Sequence, residues 1–335
     1  MSSRSLVVLP DDSARPILDA IMGASRSLYV KMFVFSDRRL LRALLAARRR
    51  GAKVCVMLNP ARRSGEVDNE ATRRELERGG IEVVDGNPAF ELTHEKSMVV
   101  DETVAFVNSF NWAAKNLTGT RDYAVITSHR REVREITDCF EADWNRQRFH
   151  PGERSSLVWC PGGREAIGHF IDEAKHTLFV QNERYQDAVI LEHLVRASAR
   201  GVKVHVMARP PHTLKPEKLV EGVGGLRIMN DVGIKVHKLK HLRLHAKMLL
   251  ADGVAAIVGS INLAPGSLDG RRELAIGVRD GDVVERLERT VHHDWKRTHP
   301  LDLSDEGLLG DLEQRAEELG LVDLDDDHAW RSRDT

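Results

Sequence analysis

Leu244 to Asn262 reads LHAKMLLADGVAAIVGSIN, and 151 residues upstream Thr93 to Asn111 reads THEKSMVVDETVAFVNSFN. Each stretch is mostly apolar, yet each carries a His and a Lys two apart near its start and a Ser and an Asn two apart at its end. Side chains of a strand alternate between faces. His245 and Lys247 therefore share one face, while Leu244, Ala246 and Met248 take the other. Ala251-Asp252-Gly253 reads as a tight turn, after which Val254 to Val258 returns and Gly259 ends the run. A hairpin of this length brings His245, Lys247, Ser260 and Asn262 to one mouth. His94, Lys96, Ser109 and Asn111 repeat the arrangement.

The repeat extends well beyond the hairpin. GAKVCVMLNP (Gly51 to Pro60) matches GVKVHVMARP (Gly201 to Pro210), and ASRSLYV (Ala24 to Val30) matches AKHTLFV (Ala174 to Val180). Asp143-Trp144 matches Asp294-Trp295. The spacing predicts two halves, 1–150 and 151–300, joined near His150 to Ser156, followed by an acidic C-terminal helix and tail over 301–335. Within a half, strands at Ser27 to Phe35 and Lys53 to Leu58 flank a helix ending before Gly51. A helix over Asp68 to Glu77 and a strand after Gly80 follow. The second half has strands at Thr177 to Asn182 and Lys203 to Ala208, with a looser segment at PPHTLKPEKLVEGVGG. Strands alternating with helices predict α/β architecture: in each half a mixed, mainly parallel sheet flanked by helices.

Composition sets broad bounds. At 335 residues, 41% hydrophobic and 30% charged, the chain can bury a core without staples. Cys55, Cys139 and Cys160 show no CxxC spacing and read as small buried hydrophobes of a reducing compartment. The N-terminus lacks an apolar run long enough for a signal, and no stretch approaches the length of a membrane helix, so a cytoplasmic location is expected. Net charge is −1, but residues 301–335 hold 12 acidic residues and 3 Arg, leaving a body of net +8. A mildly basic body suits an anionic partner.

A carboxylate stands at the same remove from each His: Asp122 lies 28 residues after His94, and Glu273 28 after His245. Such a group accepts an imidazole N–H, fixes the tautomer and raises the basicity of the other ring nitrogen. Two Lys, two Ser and two Asn supply donors for the non-bridging oxygens of a phosphodiester. The two His supply a nucleophile and a proton donor. No Asp/Glu/His cluster with metal-ligand spacing accompanies them, so catalysis without metal or other cofactor is expected.

His-x-Lys-x4-Asp-x6-Gly-Ser-x-Asn resembles the HKD motif of the phospholipase D superfamily. The chain carries it as His94, Lys96, Asp101, Asn108, Ser109, Asn111 and as His245, Lys247, Asp252, Gly259, Ser260, Asn262. The resemblance implies two α/β halves packed about a pseudo-two-fold axis, with one active site between them. It implies that one His attacks phosphorus and the other protonates the leaving alcohol, with His94 as nucleophile and His245 as general acid and base. It also implies that Asp101 and Asp252 face away from substrate and brace the structure. Asn108 stands where the motif has Gly; Asn tolerates a left-handed backbone, so the geometry is expected to survive.

Other residues are weighed against plainer roles. His237 and His241 read as surface residues or substrate contacts, Trp144 and Trp295 as core anchors, and Arg48 to Arg50 and Arg62-Arg63 as solvated helix ends and loops. The loops that would select substrate are Asn59 to Glu70, Asp85 to Leu92, Trp112 to Arg121, Pro210 to Asn230 and Leu263 to Arg272. The expected reaction is hydrolysis or head-group transfer on a phospholipid, with peripheral membrane contact. The alternative is a metal-independent nuclease with nucleic acid as partner, although an aromatic content of 5% offers little for base stacking. No oligomer is required, because both motifs lie in one chain.

Overall fold

The computed structural model of the chain describes residues 3–60, 69–153, 155–210 and 216–318. Arg62-Arg63, parts of two of the expected selectivity loops and the tail after 318 lie outside them.

The first half runs β1 (Arg4–Leu9), α1 (Arg15–Gly23), β2 (Ser27–Met32), α2 (Arg38–Arg49), β3 (Lys53–Leu58), α3 (Glu70–Arg78) and β4 (Glu82–Asp85). It continues with the hairpin β5 (Ser97–Val100) and β6 (Val104–Asn108), then α4 (Ala114–Thr118), β7 (Thr120–Thr127) and α5 (Arg130–Trp144). The second half runs β8 (Leu157–Cys160), α6 (Arg164–Glu173), β9 (Thr177–Gln181), α7 (Ala188–Ala199), β10 (Lys203–Met207), α8 (Pro216–Asp231) and β11 (Lys235–Leu239). Then come β12 (Arg243–Leu244), the hairpin β13 (Met248–Ala251) and β14 (Ala255–Gly259), β15 (Glu273–Val278), α9 (Gly281–Trp295), β16 (Thr298–Pro300) and α10 (Asp305–Glu318). The segment expected to be looser contains the helix α8.

Local chemistry explains the helix ends. Asp37 caps α2 by accepting from the amides of Arg39 and Leu40, and Asp187 caps α7 by accepting from that of Ile190. Gly51 and Gly201 follow these helices with φ of 98° and 91°, a conformation that favours glycine.

The two sheets correspond over seven strands, with β16 added to the second and β12 of the second half joined to the first. The first has the order β1-β7-β6-β5-β2-β3-β4, the second β16-β11-β10-β9-β13-β14-β15-β8. Both are mixed and flanked by helices, as expected. Parallel pairing is confined to β2-β3-β4 and β9-β10-β11, apart from the short β12 against β7. The hairpins and the strands beyond them pair antiparallel. Antiparallel pairs are therefore the majority, because each hairpin strand inserts between the parallel unit and the rest of its sheet.

Each half buries its own outer cluster, under α1 and α2 in the first and under α6 and α7 in the second. A third cluster belongs to both. It joins Tyr29, Met57 and Phe140 to Phe179, Met207 and Leu287, with Trp144 and Trp295 packed against it. The three cysteines are buried and free. Among the described residues no helix is long and apolar enough to cross a membrane.

The hairpin turns carry the motif aspartates. Asp101 and Glu102 have φ of 51° and 54°, and Asp252 and Gly253 have 53° and 64°. These are the paired left-handed residues of a tight primed turn. The Asp101 carboxylate accepts from the amides of Ser25, Arg26 and Ser27, and Asp252 from those of Lys175, His176 and Thr177. Partial burial alone would raise the Asp101 carboxyl, but these amides hold it down to about 2.

The glycine of the motif has a different reason from the one its sequence suggests. Neither Gly259 nor Asn108 has a positive φ. At Gly259 a Cβ would lie 2.3 Å from Ala275 Cα and 2.3 Å from the Leu274 carbonyl oxygen, so β14 and β15 approach too closely for a side chain. Gly259→Ala is expected to destabilise the protein by about 1–3 kcal/mol through this overpacking. Thermal unfolding checks it, and an unchanged midpoint would contradict the steric account.

Candidate active site

The backbone crosses the seam between the halves at two equivalent places. Thr93 bridges Arg272 in parallel, and Leu244 of β12 pairs with Arg121 of β7. The amide of His94 donates to the Arg272 carbonyl at 2.9 Å and that of His245 to the Arg121 carbonyl at 3.2 Å. Each motif histidine therefore lies beside the residue preceding the other half's carboxylate.

The result is a crossed pairing. His94 Nδ1 is 2.7 Å from Glu273 Oε2, and His245 Nδ1 is 2.9 Å from Asp122 Oδ1. The carboxylates expected from the sequence are both engaged, each with the histidine of the opposite half. With Nδ1 so held, Nε2 is the nitrogen left for chemistry on both rings. The rings are near enough for the charge of His245 to bear on His94. Side-chain exposures of 9% and 14% leave both partly accessible to solvent.

Burial, then Lys96, Arg271, Lys247 and His245, press the His94 imidazole well below its ordinary range, so its Nε2 is a free base. Lys96 donates to the His94 carbonyl at 2.6 Å, and its burial brings it down to about 7. Lys247 donates likewise to the His245 carbonyl and to Glu183 Oε2 at 2.7 Å. Burial raises the Glu273 carboxyl, while Lys96, Ser267 and Arg271 oppose that rise.

Asn111 and Asn262 are buried at equivalent positions, with no hydrogen bond to either side-chain oxygen. The serines are a correction to the expected phosphate-binding set. Ser109 and Ser260 are fully buried. Ser109 Oγ donates to Asp122 Oδ1 at 2.6 Å and accepts from the Tyr123 amide at 2.9 Å. Ser260 Oγ donates to the Leu274 carbonyl at 3.2 Å and accepts from its amide at 3.1 Å. Both hydroxyls are engaged with the strand that carries the carboxylate. His237 packs on Trp295 and meets Thr298 Oγ1 at 2.7 Å, and His241 is exposed.

Several groups at the site escape motif reading. Glu183 lies 3.6 Å from His245 Nε2, and Arg209 binds it at 2.8 Å. Phe33, its counterpart in the first half, packs edge-on against His94 at 4.7 Å between ring centres and lies 5.3 Å from Lys96 Nζ. Thr120 binds Asp122 Oδ2 at 2.5 Å, whereas its counterpart Arg271 holds Ser267. The signal for all of them was present in the repeat, at aligned positions where the two halves differ.

Glu95, Cys139 and Asp143 also cluster. The Lys31 ammonium already fills that cluster, 2.9 Å from Glu95 and 2.6 Å from Asp143. A cation of the chain itself thus takes the place a metal ion would need.

A duplicated mixed α/β fold whose halves trade carboxylates across one two-histidine seam is the arrangement of the phospholipase D class of phosphodiester enzymes. The chain belongs to the family described as cardiolipin synthase, PLD-like domain, whose model matches residues 17–144 and again 167–295. It is 28% identical over 313 residues to cardiolipin synthase B of Salmonella typhi, covering 79% of this chain and 73% of that protein. It is 25% identical over 305 residues to polyphosphate kinase 1 of Chlorobaculum tepidum, covering 84% of this chain and 42% of that one. Phosphatidylserine synthase from Haemophilus influenzae shares the fold, with a TM-score of 0.73 at 10% identity over 95% of this chain and 94% of that one.

Proposed function

We propose that the chain is a phospholipase D-type enzyme that transfers phosphatidyl groups to an alcohol or to water through a covalent phosphohistidine. The crossed pairing of His94 with Glu273 and of His245 with Asp122 carries this reading. Similarity to a cardiolipin synthase over most of both chains supports phospholipid as the substrate.

In this reading the reaction runs in two displacements. His94 Nε2 attacks phosphorus, an N–P bond forms, and the P–O bond to the leaving alcohol breaks. The leaving oxygen keeps the electron pair and takes the proton from His245 Nε2. The neutral His245 then removes the proton of the incoming hydroxyl, whose oxygen displaces His94. Two moderate displacements replace one difficult one. In this reading Lys96 and Lys247, with the amides of Asn111 and Asn262, hold the non-bridging oxygens.

In EDTA, mixed micelles of phosphatidylglycerol with ethanol are expected to yield phosphatidylethanol, while supercoiled DNA stays intact. Nicked DNA with no lipid product would transfer the chain to the nuclease reading and end this one.

A further inference from the structure

The site is built by a near-repeat, so symmetry alone gives both histidines the same work. The two environments differ at four aligned pairs: Phe33 with Glu183, Asn59 with Arg209, Thr120 with Arg271, and Asp122 with Glu273. On the His94 side stand an aromatic ring and Arg271, with Lys96 buried beside them. On the His245 side stands a second carboxylate at the reactive nitrogen itself, 3.6 Å away, in addition to Asp122 on the other ring nitrogen.

We propose that Glu183, placed against His245 Nε2 where the first half has Phe33 against His94, is the positioning residue that divides labour between the histidines by holding His245 as the protonated acid and leaving His94 as nucleophile. The inference deepens the two-histidine reading above and rests on it. An opposite charge within about 4–6 Å favours the charged form of a group. Glu183 also answers the cations that would otherwise repel an imidazolium there. Its carboxylate binds Lys247 at 2.7 Å and Arg209 at 2.8 Å. The charged groups facing His245 are Asp122, Glu183, Lys247 and, across the seam, His94; those facing Glu183 are His245, Lys247, Arg209, Arg243 and, across the seam, Lys96. Burial of Glu183 works against its charge, but Lys247, His245 and Arg209 hold its carboxyl well below the usual range, so it stays ionised. Phe33 offers His94 no such counter-charge, and a neutral imidazole is the form that attacks phosphorus.

The test has two arms. In the first, kcat/KM of Glu183→Gln for phosphatidylglycerol is followed against pH. The acid must be protonated, so its limb is the alkaline one, and loss of Glu183 is expected to move that limb down by about one pH unit or more. Glu183→Asp should restore part of the shift. The loss should be about tenfold larger for phosphatidylglycerol than for bis(p-nitrophenyl) phosphate, whose leaving group departs without a proton. A uniform loss at every pH and for both esters would reduce Glu183 to a structural prop and overturn the proposal.

In the second arm, acid-sensitive phosphohistidine formed from bis(p-nitrophenyl) phosphate is trapped and mapped by mass spectrometry. The native adduct is expected on His94. In the Phe33→Glu/Glu183→Phe exchange a substantial share should move to His245, and an adduct confined to His94 would overturn the proposal. If the exchange does not fold, the first arm decides. If native enzyme leaves every lipid untouched yet forms the adduct, the lipid reading fails while the histidine assignment is still tested.

Discussion

His94→Ala is expected to abolish turnover and covalent adduct together, whereas His245→Asn loses turnover but keeps the adduct. Each replacement should lower steady-state turnover of phospholipid by at least about 10⁴-fold, the scale of removing a nucleophile or a proton-transfer group. The split arises because the partners act at different moments. Without His94 there is no nitrogen to accept the phosphoryl group, so no adduct forms from any ester. Without His245 a leaving group that departs unprotonated, such as p-nitrophenolate, still loads His94. Nothing then removes the proton of the incoming water, so the adduct persists. Intact-protein mass spectrometry after rapid quenching reads both results, beside the steady-state rate. Adduct in His94→Ala would show that His245 attacks, and its absence from both variants would remove the covalent route. The crossed carboxylates sharpen the outcome. Asp122 supports His245 and Glu273 supports His94, each from the opposite half. Glu273→Ala should therefore resemble His94→Ala and Asp122→Ala should resemble His245→Asn, although sequence proximity within each half suggests the reverse.

That reversal marks where sequence reading stops. The repeat made both hairpins, their histidines and their lysines legible, because period-two alternation and a fixed offset need no tertiary information. It also found Asp122 and Glu273 as histidine acceptors. Which acceptor serves which histidine depends on the bridges of Thr93 to Arg272 and of Leu244 to Arg121, which form only when the halves dock. The serines failed for a related reason. Shared facing with Asn placed Ser109 and Ser260 at the mouth, but strand β7 lies close enough to Ser109, and β15 to Ser260, to claim the hydroxyls. Glu183 was passed over because a single carboxylate after a strand carries no motif. Only its alignment with the unlike residue Phe33 singles it out.

The halves dock through the shared apolar cluster, and buried charge pairs cross the same seam; breaking one of these pairs gives the largest expected loss of stability. Asp143 is fully buried, and its carboxylate binds Lys31 at 2.6 Å and, across the seam, Arg272 at 2.9 and 3.1 Å. Asn87 adds a contact at 3.3 Å. Asp143→Ala leaves two cations in the interior with less compensation, an error that costs about 3–5 kcal/mol when one partner of a buried pair is removed. The equivalent Asp294 binds Arg121 at 2.8 and 2.9 Å, but Gln181 replaces Lys31 there. Arg121 also keeps the Leu9 carbonyl at 2.8 Å and Asp11 at 3.2 Å. Asp294→Ala is therefore expected to cost clearly less than Asp143→Ala, although both are buried at equivalent positions. Denaturant midpoints of the two variants, compared at constant slope, check the order. Equal losses would mean that Lys31 is supported mainly by Glu95, which it meets at 2.9 Å and which Ser97 Oγ steadies from its other oxygen at 2.6 Å. Activity should follow stability in one respect. Arg272 immediately precedes Glu273 and accepts the His94 amide, so releasing its guanidinium loosens the carboxylate that orients the nucleophile. Asp143→Ala should then lower kcat more than Asp294→Ala at temperatures where both remain folded.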